Sequence, residues 1–305
     1  MKFSVVIPVY NKADTICEAL ESIFSQTFSD YEIVIIDDGS NDNLNDKIAH
    51  HLKPWVKVIT QKNSGVSVAR NTGINHSKGD YICFLDADDL WKPNHLEEFN
   101  RLIIKYPESN VFVTSHEIIN PDGSKYNSNL YLKNHPCDFE TNDMLGLLNT
   151  TSYGVINTNS MCVRKSPFFR DGVFFAPGIR IGEDSDVWYR LALKNKAAIS
   201  KQCTTSYRRE FSTATQNGTH VHNWIFASRV DSILSDDNIT YSVKMSVLNL
   251  IDRYKMTSSR VYMTESNRKE AKKILSEIKK KNNIRFVLTS IFTFLPYSVC
   301  RKLLK

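Results

Sequence analysis

The chain has six cysteines, Cys17, Cys83, Cys137, Cys162, Cys203 and Cys300, and no CxxC pair among them. Without such a pair, neither a zinc site nor a thioredoxin-type motif is indicated. Cys17 and Cys83 fall in apolar periodic stretches and read as core thiols in a reducing compartment. There is no apolar run of about 18 residues, so no transmembrane helix is expected. The apolar stretch after Lys2 is broken at Pro8, too early for a secretory signal. No GxGxxG follows the first apolar run, and neither GxxxxGKS nor GxxxxGKT occurs. The dinucleotide fingerprint and the P-loop are therefore both missing.

What is present is enough for a folded core: 305 residues, 41% of them hydrophobic. That length suits one large domain, or one domain with a helical extension. The net charge of +6 is unevenly spread. Residues 201–305 carry 19 Lys/Arg against 8 Asp/Glu, a net of +11, and residues 1–200 carry 20 against 25, a net of −5. A basic back half suggests an anionic partner for that part of the chain, phospholipid headgroups or nucleic acid.

The front half is organised around Tyr81-Ile82-Cys83-Phe84-Leu85-Asp86-Ala87-Asp88-Asp89. Its apolar part has the length of a strand buried on both faces. The carboxylates follow where that strand leaves the sheet, the place where open α/β sheets bind ligands. Carboxylates this close repel one another unless a cation lies between them. Mg2+ or Mn2+ bridging to phosphate oxygens answers that requirement. An Asp-capped turn, with Asp88 or Asp89 opening the next helix, answers it in a plainer way.

The preceding residues alternate strand and helix. Phe3-Ser4-Val5-Val6-Ile7 reads as a strand whose ladder ends at Pro8, and a helix follows with Ile16, Ala19, Leu20, Ile23 and Phe24 at helical spacing. Tyr31 to Ile36 is a second strand, ending in Asp37-Asp38-Gly39-Ser40, and Val56 to Ile59 is a third. Val66 to Asn75 reads as a helix bearing Arg70, and Trp91 to Tyr106 as another. This order predicts a parallel sheet with right-handed crossovers. Pro8, Asp38 and Asp86 then share one rim, suited to a nucleotide held by aspartates, a metal and an arginine. For Asp37-Asp38-Gly39-Ser40 an ordinary turn is the plain alternative, and for Arg70 a structural ion pair. Further on, Gly182-Glu183-Asp184-Ser185-Asp186 opens a helix, where acids accept backbone N–H groups and gain from the helix dipole.

Five segments taken in order resemble the motifs of family 2 glycosyltransferases: Ser4-Val5-Val6-Ile7-Pro8-Val9-Tyr10-Asn11, Asp37-Asp38-Gly39-Ser40, Gly65-Val66-Ser67-Val68-Ala69-Arg70-Asn71, Phe84-Leu85-Asp86-Ala87-Asp88-Asp89 and Gly182-Glu183-Asp184. The likeness covers about residues 3–215. It implies an α/β protein of the GT-A fold, with a mixed, mainly parallel central sheet, and an inverting sugar transfer from a nucleotide donor, usually UDP-linked. Carried over by position, Pro8 and Tyr10 border the base, Asp38 faces base or ribose, and Arg70 lies near the nucleotide. Asp86 approaches ribose or metal, Asp88 is the metal ligand of the DxD motif for Mg2+ or Mn2+, and Asp184 matches the aspartate assigned as base. The family often shows Tyr-Arg-x-His-x-x-Ser after the acidic helix. Here Glu210 takes the histidine position of Tyr207-Arg208-Arg209-Glu210-Phe211-Ser212-Thr213, and His220 and His222 follow it, close enough in the chain to reach the site, with surface positions as the plainer reading.

The expected organisation is a GT-A domain over 1–215 and a basic helical extension over 216–305. In the extension an apolar segment, 284–296, lies between basic flanks, 268–281 and 301–305, a pattern suited to an anionic membrane surface. The resulting expectation is a cytoplasmic enzyme, peripheral at the inner membrane, passing a sugar to a glycan or lipid-linked acceptor in surface polysaccharide assembly. The alternatives are a nucleotidyltransferase, which usually has a glycine-rich basic loop where Val9-Tyr10-Asn11-Lys12 stands, and a nucleic-acid-binding module. The acidic clusters argue against nucleic acid in the cleft.

Overall fold

A computed structural model describes residues 2–128, 132–150, 155–179, 182–209, 225–264, 267–278 and 289–290. The chain divides into two compact units, Met1–Met144 with Thr151–Gln216, and Leu145–Thr150 with Asn217–Lys305.

The first unit is built outward from β1 (Phe3–Val9), which is buried along its whole length. β2 (Tyr31–Asp37) runs parallel to it, β3 (Val56–Thr60) lies parallel beyond β2, and β4 (Tyr81–Phe84) lies parallel on the other side of β1. Strands buried on both faces need mainly apolar residues, and the β-branched segments of β1 and β2 supply them, the buried Ser4 hydroxyl donating to Glu32 at 2.6 Å. The crossovers carry α1 (Ile16–Phe24), α2 (Leu44–Ile48) and α3 (Val66–His76). α1 buries Ile16, Ala19, Leu20 and Ile23, the predicted stripe. α3 packs close to the sheet at Gly73, where an added Cβ would come within 2.3 Å of Val6 Cγ1. Only glycine permits that approach.

β1 does not stop at Pro8, as the sequence suggested. Its pairing with β2 continues through Pro8↔Ile36 and Val9↔Asp37, whereas its pairing with β4 ends at Val6↔Phe84. The carbonyl of Val6 faces the β4 side, accepting from Leu85 N at 3.1 Å. Two residues on, the donor that Pro8 lacks would point to that same side, where no ladder remains to be broken.

The sheet continues through β5 (Leu90–Trp91), β6 (Val111–Ile119), β7 (Lys125–Asn127), β8 (Asp138–Thr141), β9 (Met161–Arg164) and β10 (Ala197–Arg208). The principal order is β3-β2-β1-β4-β9-β6-β10-β5. β9 runs antiparallel to both β4 and β6, and β10 is parallel to β6. The sheet is therefore mixed and mainly parallel, as expected. Interspersed along the chain are α4 (His95–Lys105), α5 (Met144–Thr150), which from Leu145 on belongs to the second unit, α6 (Ser166–Arg170) and α7 (Glu183–Lys194). The helix expected from Trp91 begins only at His95. Trp91 is in β5 instead, paired with Thr205 of β10, and its indole N–H donates to the Asn159 carbonyl at 2.9 Å. Consequently neither Asp88 nor Asp89 caps α4, whose N-cap is Asn94.

The second unit contains α8 (Val230–Ser235), α9 (Tyr241–Thr264) and α10 (Arg268–Ser276). Met256, Leu275 and Ile278 form a buried cluster there. Arg253 ties α9 to α5 by donating to the Leu148 and Asn149 carbonyls, at 2.6 and 3.2 Å. Among the described residues no helix is long and apolar enough to cross a membrane. The apolar segment 284–296, apart from Thr289 and Ser290, lies outside the described residues, as do 301–305, Glu210, His220 and His222.

Candidate functional site

Because β1, β2 and β4 are parallel, their C-terminal ends deliver Pro8, Asp38 and Asp86 to one edge of the sheet. Pro8 is buried within β1, and Tyr10, just beyond it, is 48% exposed. The turn after β1 is fastened to the turn after β2. Asn11, at φ 51°, accepts from Asn41 N through its side chain at 2.9 Å, and its own N–H donates to Ser40 Oγ at 3.1 Å. Ala13 N adds a bond to Asp42 Oδ2 at 2.8 Å.

Asp38 is turned toward the protein. Its Oδ1 accepts from Gln61 Nε2 at 2.7 Å and from Ser64 N at 2.9 Å, and its Oδ2 accepts from Gly65 N at 2.8 Å. It thereby shapes the loop that opens α3, where Gly65 adopts φ 89°. Asp37 behaves similarly, accepting from Ser40 N at 2.8 Å.

Arg70 lies on the buried face of α3 and joins two distant acids. Nη2 donates to Asp86 at 2.9 Å, and Nη1 to Glu183 of α7 at 3.0 Å, across 113 residues of chain. Beneath the guanidinium is the Phe175 ring, 5.3 Å to its centroid, which packs with Phe84 and Trp188. Asn71 secures that segment by exchanging two hydrogen bonds with the Phe175 backbone, at 2.8 and 2.9 Å. Burial works against the charge of Arg70, but Asp86, Glu183 and Asp184 outweigh it and keep the guanidinium protonated. For Glu183, burial and the neighbouring Asp184 prevail over Arg70, raising its pKa to about 7.

Asp184 is the half-buried acid at the start of α7. Oδ2 accepts from Thr158 Oγ1 at 3.1 Å, and Oδ1 from Ser185 N at 2.6 Å. Thr158 is itself held by the indole N–H of Trp188 at 3.3 Å. Asp186, by contrast, is fully buried and ion-paired to Arg190 one turn on, at 2.8 Å, a structural pair.

The turn after β4 is held by cations. Lys12 Nζ lies 2.8 Å from Asp88 Oδ2. Asp88 has a raised pKa, pushed up by burial and by Asp86 and restrained by Lys12. Asp89 is enclosed, accepting from Asn159 Nδ2 at 2.8 Å and from Arg208 N at 2.9 Å. Its pKa is raised well above the carboxylate range by burial, with Asp86 and Asp88 adding to the effect. Arg208 also donates to the Asp88 carbonyl at 2.6 Å and pairs with Glu18. Lys12, Asn159, Thr158 and Arg208 were not anticipated as parts of this site. Arg208 stands in the Tyr207-Arg208-Arg209 segment, where the sequence by itself points only to the missing histidine.

Among the described residues, no three or more of His, Cys, Asp and Glu converge on a metal position. A hard divalent cation bound with substrate phosphates needs only one or two protein carboxylates. Asp86 and Asp88 suit that role. They raise one another's need for positive charge, and each already meets a cationic side chain. A separate cavity of about 830 Å³, lined by Lys2, Lys78, Tyr81 and Arg164 among others, lies at the opposite ends of the strands, away from these acids.

The model of the family described as Glycosyl transferase family 2 matches residues 4–166. An uncharacterized glycosyltransferase of Rickettsia felis is 34% identical over 198 residues, covering 64% of this chain and 31% of that protein. An Escherichia coli UDP-Glc:alpha-D-GlcNAc-diphosphoundecaprenol beta-1,3-glucosyltransferase, WfgD, is 34% identical over 118 residues, covering 38% of this chain and 46% of the relative. The first of these curated relatives is thus matched over about a third of its own length. Among solved structures, S. aureus TarS in complex with UDP-GlcNAc superposes with a TM-score of 0.69 at 17% identity, covering 99% of this chain and 91% of that one. That likeness shows the fold, the GT-A arrangement that the motifs implied.

Proposed function

The chain belongs to glycosyl transferase family 2, and from that premise we propose that it moves a sugar, with inversion, from a UDP-sugar to a hydroxyl of a glycan or lipid-linked acceptor. The observation that carries this reading is the Arg70 bridge, which brings the acids after β4 and the acids opening α7 to one place. A donor diphosphate near the first and an acceptor hydroxyl near the second would face each other across the anomeric carbon.

In this reading Pro8 and the exposed Tyr10 ring border the base. Asp38 acts through the loop it shapes, which forms the wall of the nucleotide pocket. Asp86 is held by Arg70 toward ribose or metal. Asp88, with Asp86, holds Mg2+ or Mn2+. When bound, that cation offsets the charge that develops on the departing diphosphate. Asp184 takes the proton from the acceptor hydroxyl. The acceptor oxygen forms its bond to the anomeric carbon as the bond to the UDP oxygen breaks, and UDP leaves with the electron pair. The orientation of Asp184 is set by Thr158 and Trp188. Burial of Glu183, working against Arg70, leaves only part of a second negative charge next to the base at neutral pH.

The names of the relatives support the donor and acceptor classes. WfgD is named for UDP-glucose and a lipid-diphosphate acceptor, and TarS was solved with UDP-GlcNAc. The basic extension over 216–305 would hold the enzyme at the cytoplasmic face of the membrane, where a lipid-linked acceptor is within reach, leaving the chemistry to 1–215. A nucleic-acid-binding module does not account for the acidic rim, and a nucleotidyltransferase usually has a glycine-rich basic loop where Val9-Tyr10-Asn11-Lys12 stands. UDP release from a panel of UDP-sugars, with Mn2+, Mg2+ or EDTA, tests the proposal. Metal-dependent release from one sugar, abolished in Asp88→Ala, is expected. Failure of UDP to bind in calorimetry would remove the UDP donor from the reading.

A further inference from the structure

Two of the cations that the described residues bring to the site differ in kind. Arg70 is 5% exposed and pinned from both sides, by Asp86 and Glu183. Lys12 is 25% exposed and reaches Asp88 through a flexible four-carbon stem. The Lys12 backbone is fixed independently of that contact. Its carbonyl accepts from Thr15 N and Ile16 N, both at 3.1 Å, and the residues on either side are bonded to the turn after β2. The Asp88 turn is likewise fixed without Lys12, through the Arg208 bond to the Asp88 carbonyl. The ion pair therefore opens by side-chain rotation alone, with both backbones in place.

We propose that Lys12 is a tethered counter-ion of the metal seat. It neutralises Asp88 in the metal-free enzyme, competes with the divalent cation for that carboxylate, and on displacement turns to the donor diphosphate. This inference rests on the metal–nucleotide reading of the site. Its consequence is a linked loading: a metal arriving alone must displace the ammonium from Asp88 with no phosphate at hand to receive it. A metal arriving with a nucleoside diphosphate provides the displaced ammonium with phosphate oxygens, which lysine binds as a point charge. Metal and nucleotide therefore bind together.

Mn2+ binding to the full-length protein, read from the electron paramagnetic resonance signal of free Mn2+, tests the competition with and without UDP. Lys12→Met is expected to bind Mn2+ alone about fivefold to tenfold more tightly than wild type, the size of one partly exposed ion pair. With Mn2+ present it is expected to bind UDP more weakly. Lys12→Arg retains wild-type behaviour, and adding Asp88→Asn to Lys12→Met erases the gain. A residue with only a structural role would not raise metal affinity when removed. Equal or weaker nucleotide-free Mn2+ binding by a folded Lys12→Met protein, where wild type binds Mn2+ with UDP, overturns this inference alone. Absence of Mn2+ binding in wild type even with UDP overturns the metal reading of the site, and this inference with it.

Discussion

Two acidic turns leave the same edge of the sheet and look alike in sequence, Asp37-Asp38-Gly39-Ser40 after β2 and Asp86-Ala87-Asp88-Asp89 after β4. Their carboxylates are used differently. In the first turn Asp37 and Asp38 accept mainly from backbone N–H groups of neighbouring loops. In the second, Asp86 and Asp88 meet the side-chain cations Arg70 and Lys12, and only Asp89 is closed in by an amide and a backbone N–H. A carboxylate bound to backbone is part of the architecture, because those donors have no other partner. A carboxylate bound to a flexible ammonium can exchange that partner for another cation. The chemistry is expected at the second turn and the scaffolding at the first.

The largest effect that would break this contrast is on stability at the first turn. Asp38→Ala strands Gln61 Nε2 and two backbone N–H groups and should cost ~3 kcal/mol in urea denaturation. An unchanged midpoint would make Asp38 a ligand-facing residue instead. At the second turn the outcome should be reversed. Asp88→Asn should slow sugar transfer about 100-fold while stability stays within ~1 kcal/mol of wild type. A matching loss of stability would mean that Asp88, too, is scaffold.

Glu183 sharpens the contrast through pH. Its pKa is raised from 4.5 to about 7, so between those values the folded protein keeps a proton that the unfolded chain has released. Stability from this group is therefore full below pH 4.5 and is lost as pH rises through about 7. Glu183→Gln should flatten that decline by ~2 kcal/mol, compared by denaturation at pH 5 and pH 8. The smallest effect belongs to Asp37→Ala. It removes one acceptor from Ser40 N, and the shift in melting should correspond to ~1 kcal/mol with donor hydrolysis intact.

The strands β1, β2 and β4 are legible because buried parallel strands are mainly apolar, and β3, with none of its residues buried, because of its β-branched Val56, Val58 and Ile59, in each case a property of the segment by itself. β10 was not legible. Its Thr204, Thr205 and Ser206 are buried polar residues, and they are accommodated there by bonds to Thr114, Asn159 and Glu117, all distant in the chain. Trp91 reads as helix in the sequence for a similar reason, since its partners lie about 70 and 114 residues away, in the Asn159 and Thr205 neighbourhoods. Within the site, the aspartates could be named from their order along the chain. The cations opposite them could not, because a lone lysine after a turn resembles any surface lysine until Asp88 is found 2.8 Å from it. Arg70 was read with an ion pair as its plain alternative, and the buried pairing to Asp86 and Glu183 is what the fold displays.

α3 meets β1 at Gly73, and Arg70 stands one turn earlier on the same helix. The hydrogen atom that replaces a methyl at Gly73 thus acts as a spacer gauge for the whole site. It sets how deep the helix sits, and therefore how far the guanidinium projects between two acid patches carried by different elements. A thicker shim at that point would detune both patches together, although every acid and every cation would still be present in the chain.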